Sequence, residues 1–129
     1  AGETVTAAAV RELWEETGVR TQEEDLRWVG HLTFLFPANP AWDQTVYVFL
    51  VTKWEGEPRE SGEMRPAWFP VGHLPFDRMW QDGAHWLPRV LAGERVRAVF
   101  VFGEDNESLA EARVERLQAT EGLSEGDRR

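Results

Sequence analysis

Glu3-Thr4-Val5-Thr6-Ala7-Ala8-Ala9-Val10-Arg11-Glu12-Leu13-Trp14-Glu15-Glu16-Thr17-Gly18-Val19 is the stretch from which the rest of the chain is read. On a helix turning about 100° per residue, Glu12, Glu15 and Glu16 share one face, with Val10, Leu13, Trp14 and Thr17 set opposite them. One face can then enter a core while the other holds three like charges, a repulsive arrangement that calls for a cation. Thr4 or Thr6 can cap the start of the helix, and Gly18 can supply the left-handed residue that ends it. The plainer alternative is an amphipathic helix with a solvated acidic face.

The spacing is more specific than that alternative requires. It resembles the Nudix box, G-x5-E-x7-R-E-U-x-E-E-x-G-U with U aliphatic. Glu3, Arg11, Glu12, Leu13, Glu15, Glu16, Gly18 and Val19 fill eight of its nine defined positions, and the opening glycine would precede Ala1. The resemblance implies an α/β fold, an α/β/α sandwich with a mixed sheet. In that family sheet strands and a glycine-rich loop precede the box, so the chain is expected to be an N-terminally truncated domain over residues 1–119, with 120–129 a disordered tail.

The totals set outer bounds. A chain of 129 residues, 42% hydrophobic and 29% charged, suits one globular domain. A formal net charge of −9 argues against binding a nucleic-acid polymer, though an anionic nucleotide can bind where divalent metal supplies positive charge. With no cysteine, disulfides and thiolate metal sites are excluded and a reducing cytoplasm is expected. No apolar run reaches the length of a membrane span. The expected partner is a small nucleotide bound by a monomer.

Along the chain, Arg27 to Phe36 alternates as a strand. Gln44 to Lys53 carries an almost unbroken apolar run, expected to be a central strand covered on both faces. A short strand is expected over Arg65–Val71 between prolines, and a helix over Ala84–Ala92, capped by Asp82 and ended by Gly93. Arg95–Phe102 reads as a strand, Gly103–Asn106 as a turn, and Glu107–Ala119 as a polar helix. His31, His73 and His85 show no metal-ligand spacing and are read as structural or surface residues.

Beyond the box, Glu63-Met64-Arg65-Pro66-Ala67-Trp68-Phe69 and the stretch from Leu74 through Trp80-Gln81-Asp82-Gly83 to Trp86-Leu87-Pro88 are similar to the MutT-homologue branch of the family. Those enzymes hydrolyse oxidised purine nucleoside triphosphates such as 8-oxo-dGTP to the monophosphate and pyrophosphate. The resemblance implies that Glu12, Glu15, Glu16 and Glu63 bind metal, Mg²⁺ or Mn²⁺, and form the catalytic group together with Arg11, which orients Glu15. It places Trp80 as the plate stacked on the purine, Asp82 as a base-reading carboxyl, and Phe34, Phe36 and Trp86 around the base. Two departures fall inside that pocket: Gly83 stands where a second base-reading aspartate is expected, and Gln81 where a proline is.

Each assignment has a structural alternative. Glu63 can be one solvated acid among Glu55, Glu57 and Glu60, and Trp80, Phe34 and Phe36 can be core. The general base is either Glu16 or Glu63. Two other functions stay open: a Nudix pyrophosphatase for another nucleotide such as ADP-ribose, and a non-catalytic nucleotide-binding module.

Overall fold

The computed structural model describes residues 2–62, 64–118 and 122–123. The elements are α1 (Val5–Thr17), β1 (Leu26–Leu35), β2 (Gln44–Val51), α2 (Gly83–Leu91), β3 (Val96–Phe102) and β4 (Leu109–Arg116), with single 3-10 turns at Glu23–Asp25, Pro40–Trp42 and Phe76–Arg78. The strands make one mixed sheet in the order β2-β1-β3-β4, β1 parallel to β3 and β3 antiparallel to β4. This is the α/β architecture with a mixed sheet that was expected.

The chain gathers into two compact units: residues 2–28, 49–62, 64–68 and 122–123 form one, residues 29–48 and 69–118 the other. In the first, α1 starts where the Thr4 hydroxyl accepts the Ala7 N–H at 3.2 Å. It ends at Gly18, which takes φ +76° and donates its N–H to the Trp14 carbonyl at 2.9 Å. That positive φ is what calls for glycine there; a Cβ would also lie 2.6 Å from Nε of Arg59, a flexible side-chain end that can move aside. Val5, Ala8 and Thr17 are the buried residues of α1. Trp14, expected on the core side, is instead 41% exposed, with the Arg20 guanidinium 4.2 Å above its ring.

The second unit is built on β3. Val96, Ala98, Phe100 and Phe102 are all buried and alternate with Arg97, Val99 and Val101, so one face of the strand supplies core. Gly30 to Leu35 of β1 pair in parallel with Val96 to Val101. Leu32, paired with Ala98, lies on that same face, and Val29 and Val90 are buried as well. Arg89 of α2 binds Glu94 at 2.9 Å and donates to the Val114 carbonyl at 3.4 Å, fastening the helix to β4.

Four expectations are corrected. The helix read over Glu107–Ala119 is β4 as far as Arg116, with Ala119 outside the described residues. Its Glu, Ala and Arg content favours a helix locally, but pairing with the preformed edge of β3 satisfies the backbone instead. The turn before it commits the chain to that return: Asp105 accepts the Glu107 and Ser108 N–H groups at 3.0 and 2.8 Å, and Asn106 takes φ +57°. Arg65–Val71 forms no strand, its prolines lacking the donors that a ladder needs. β2 lies at the edge of the described sheet with its residues half-buried or exposed, so its apolar run is not a doubly covered centre. Asp82 has helical dihedrals and makes no capping hydrogen bond, because its carboxylate is engaged elsewhere. The tail proposed for 120–129 lies outside the described residues apart from 122–123.

Candidate functional site

On α1, one arginine is held between two acids. Nε and Nη2 of Arg11 donate to the two carboxylate oxygens of Glu3 at 3.0 and 2.9 Å, and Nη1 donates to Oε2 of Glu15 at 3.0 Å. A helix brings residues four apart onto the same face, which explains the Arg11–Glu15 contact. The fork of Arg11 leaves a longer approach of 3.9 Å to Glu12. Hydrogen bonding to Glu3, and then to Glu15, raises the Arg11 guanidinium above its ordinary value, so it stays charged at every accessible pH. Glu3, which carries no role in the sequence reading, is therefore the residue that aims Arg11.

Glu12, Glu15 and Glu16 offer only carboxylate oxygens, a donor set suited to Mg²⁺ or Mn²⁺ rather than to a thiolate- or imidazole-seeking metal. Among the described residues, no three Asp, Glu, His or Cys side chains are grouped closely enough to enclose one ion. Glu63, the fourth member of the expected set, lies outside the described residues. The residues on α1 thus fit a hard divalent cation by donor chemistry.

The second unit contains a cleft of about 490 Å³ lined by Phe34, Phe36, Trp80, Asp82, Gly83 and Trp86 together with Gln44, Val46, Val48, Leu32, Met79 and Phe102. Six of the seven residues assigned to substrate binding from the sequence meet there. Gln81 does not: its side-chain oxygen accepts the Leu109 N–H at 2.9 Å, tying the loop before α2 to the start of β4. Phe36 and Phe102 stack at 4.8 Å and 6°, and Trp80 stands edge-on to Phe102 at 5.5 Å and 85°. Trp80 remains 58% exposed at the cleft. Phe36 is itself placed by Asp43, whose carboxylate takes its backbone N–H at 2.6 Å.

Asp82 is the buried polar group of this cleft, 7% exposed, and Oδ2 accepts the Trp86 indole N–H at 2.9 Å. A partner four residues along the helix thus fixes the carboxylate's orientation and leaves its other oxygen uncommitted by that bond. Sequence reasoning missed Gln44, Val46 and Val48, although their spacing of two along one strand was the signal that could have found them. A larger hollow of about 1010 Å³ in the first unit is lined by both charge signs, including Arg11, Arg20, Lys53, Glu24 and Glu55, and by none of Glu12, Glu15 and Glu16.

Comparison with known proteins identifies the family. A NUDIX domain model matches residues 1–90, and the chain belongs to the NUDIX family. It is 40% identical over 101 residues to an oxidized purine nucleoside triphosphate hydrolase of Danio rerio, covering 78% of this chain and 63% of that protein. It is 36% identical over 109 residues to the Mus musculus protein of the same description, covering 84% and 68%. The chain therefore spans about two thirds of the length of these relatives. The crystal structure of a mutator MutT protein from Bacillus halodurans superposes with a TM-score of 0.73 at 24% identity, over 89% of this chain and 76% of that one, a likeness of fold. Hydrolases of the NUDIX family generally need divalent metal ions. No helix among the described residues is long and apolar enough to cross a membrane.

Proposed function

We propose that this chain carries the hydrolysis of oxidised purine nucleoside triphosphates, of the 8-oxo-dGTP type, to monophosphate and pyrophosphate. The observation that carries the reading is the cleft, in which an exposed tryptophan and a buried, oriented carboxylate stand together, as a purine with a hydrogen-bonding edge requires. The family membership and the two triphosphate-hydrolase relatives support it.

In this reading Trp80 stacks on the base, and Asp82, held by Trp86, accepts hydrogen bonds from its N–H groups. Glu12, Glu15, Glu16 and Glu63 would hold Mg²⁺. When bound, the cation neutralises the phosphate chain and acidifies a coordinated water. Arg11, gripped by Glu3, keeps Glu15 in one orientation. Glu16, which is not among Arg11's ion-pair partners, accepts the proton of the attacking water at its carboxylate.

Pyrophosphate release is the test, measured on 8-oxo-dGTP, dGTP and ADP-ribose with Mg²⁺ and with chelator. The expected result is Mg²⁺-dependent release that is fastest on 8-oxo-dGTP. AMP and ribose 5-phosphate produced from ADP-ribose, with neither triphosphate consumed, would move the activity to another nucleotide class. No turnover of any substrate would leave a binding module.

A further inference from the structure

The purine cleft has a second polar side chain on its wall. Successive residues of a strand face opposite sides, so Gln44, Val46 and Val48 of β2 point the same way, and all three line the cleft. Gln44 is the first residue of the strand and is exposed, which puts its amide at the open side of a wall that is otherwise valine. Around it the lining is aliphatic or aromatic apart from Asp82 and the indole N–H groups, and the Trp86 N–H is already given to Asp82. Gly83, also in the lining, contributes no polar side chain.

We propose that Gln44 is a specificity-determining residue, its amide reading the edge of the purine that oxidation at C8 rewrites. The inference rests on the cleft being the base site. An ionised carboxylate can only accept, so Asp82 suits the N1–H and amino donors of a guanine-type base. An amide presents a donor beside an acceptor. Guanine offers two neighbouring acceptors, O6 and N7, and can satisfy only half of that pair. Oxidation at C8 puts a proton on N7, so the same two positions become acceptor and donor and match the amide fully. Without Gln44, Asp82 reads a donor edge common to guanine and 8-oxoguanine and does not separate them. The amide thus supplies a second handle in a pocket whose neighbouring position is Gly83.

The test uses the monophosphates 8-oxo-dGMP and dGMP, which report on the base cleft whether or not the triphosphate is hydrolysed. Calorimetric titrations compare wild type with Gln44→Leu, of similar volume, and Gln44→Glu, which can only accept. Gln44 is exposed at the beginning of an edge strand, so both variants should fold, as circular dichroism can check. Wild type is expected to prefer 8-oxo-dGMP. Gln44→Leu should shrink that preference by roughly tenfold, the discrimination typical of one two-point amide contact, with dGMP affinity little changed. Gln44→Glu should weaken 8-oxo-dGMP by losing the donor to O6. A Gln44→Leu protein that keeps the wild-type ratio overturns the role of Gln44 and leaves the base site standing. A wild type that binds neither monophosphate overturns both.

Discussion

Replacing Asp82 by asparagine reverses one hydrogen-bonding atom and little else. The side chain is 7% exposed and receives the Trp86 indole N–H on Oδ2 at 2.9 Å. Asparagine has a single acceptor, so if that oxygen stays with Trp86 its NH₂ takes the place of Oδ1 toward the cleft. Toward a base edge made of N–H donors, an acceptor becomes a donor. A hydrogen bond to a charged group is worth about 1.5–3 kcal/mol, so kcat/KM for 8-oxo-dGTP should fall about 10- to 150-fold, mostly through KM. Adenine-type triphosphates, which present an acceptor at ring N1, should lose less or gain. The fold should hold, because Asp82 makes no capping bond to α2 and the replacement is isosteric. Pyrophosphate-release kinetics on both base types, with thermal melts in parallel, give the answer. An unchanged ratio between the two substrates, with an unchanged melt, would show that Asp82 does not face the base and would remove the main polar argument for a purine site.

The other predictions concern separate parts of the molecule. Trp80→Ala should raise KM for purine triphosphates about 5- to 150-fold, since stacking on one base is worth about 1–3 kcal/mol; the ring is 58% exposed, so the melting temperature should change little, and unchanged kinetics would take Trp80 out of the site. Glu16→Gln should lower turnover by about a hundredfold or more without lowering the melting temperature, and full activity in a discontinuous assay would reassign the base. Gly83→Asp brings a Cβ to 3.0 Å from Cε of Met79, a flexible side-chain end that also lines the cleft, so the variant should fold; its new carboxyl should shift preference toward oxidised purines, as a substrate panel can show. The Ser108 hydroxyl, followed by the Ser108 and Glu107 N–H groups, holds the Asp105 carboxyl down at about 2 from 3.8. A lowered folded value means the turn's stabilisation is present above the ordinary carboxyl range and is lost as pH falls toward about 2. An NMR titration of the Asp105 side chain should show that low midpoint, and Ser108→Ala should move it upward.

Elements written by local chemistry were legible in the sequence. α1 announced itself by Thr4, by Gly18 and by the acids spaced three and four apart; β1 did so by alternation, and β3 was read as a strand as well. What failed depended on partners distant in sequence. β4 reads as helix until the edge of β3 is present to pair with it, and the same run of residues then exposes Glu111, Arg113 and Glu115 while Leu117, just past its end, is buried. The apolar run of β2 looked doubly covered, whereas it lies at the edge of the described sheet and its Gln44–Val46–Val48 face lines the cleft. Asp82 has the right residue type and position for a cap, and only the indole four residues on shows why it is not one. The aromatic cleft was readable through resemblance, residue by residue, except at Gln81, whose amide is taken by the Leu109 N–H. Glu3 could not be given a role from spacing alone, because its function is to grip a side chain eight residues away.

The charges on α1 are placed against the interests of the helix. Glu12, Glu15 and Glu16 occupy its C-terminal half, where carbonyls already present partial negative charge, while the first turn carries no acid and the last turn no base. Each acid therefore repels its neighbours and also opposes the helix dipole. Arg11 is the cation that answers them on α1, and it divides its hydrogen bonds between Glu15 and Glu3, giving its two-point grip to the residue outside the helix. A sequence shaped only for stability would place these charges at the other end of the helix or make them neutral. Their position is accounted for when a divalent cation joins the balance, since its attraction for each carboxylate and for the carbonyl end of the helix offsets these repulsions. This is why Glu16→Gln is expected to cost turnover and not stability: it removes one of three mutually repelling charges from a helix whose core contacts, through Val5, Ala8 and Thr17, are made elsewhere.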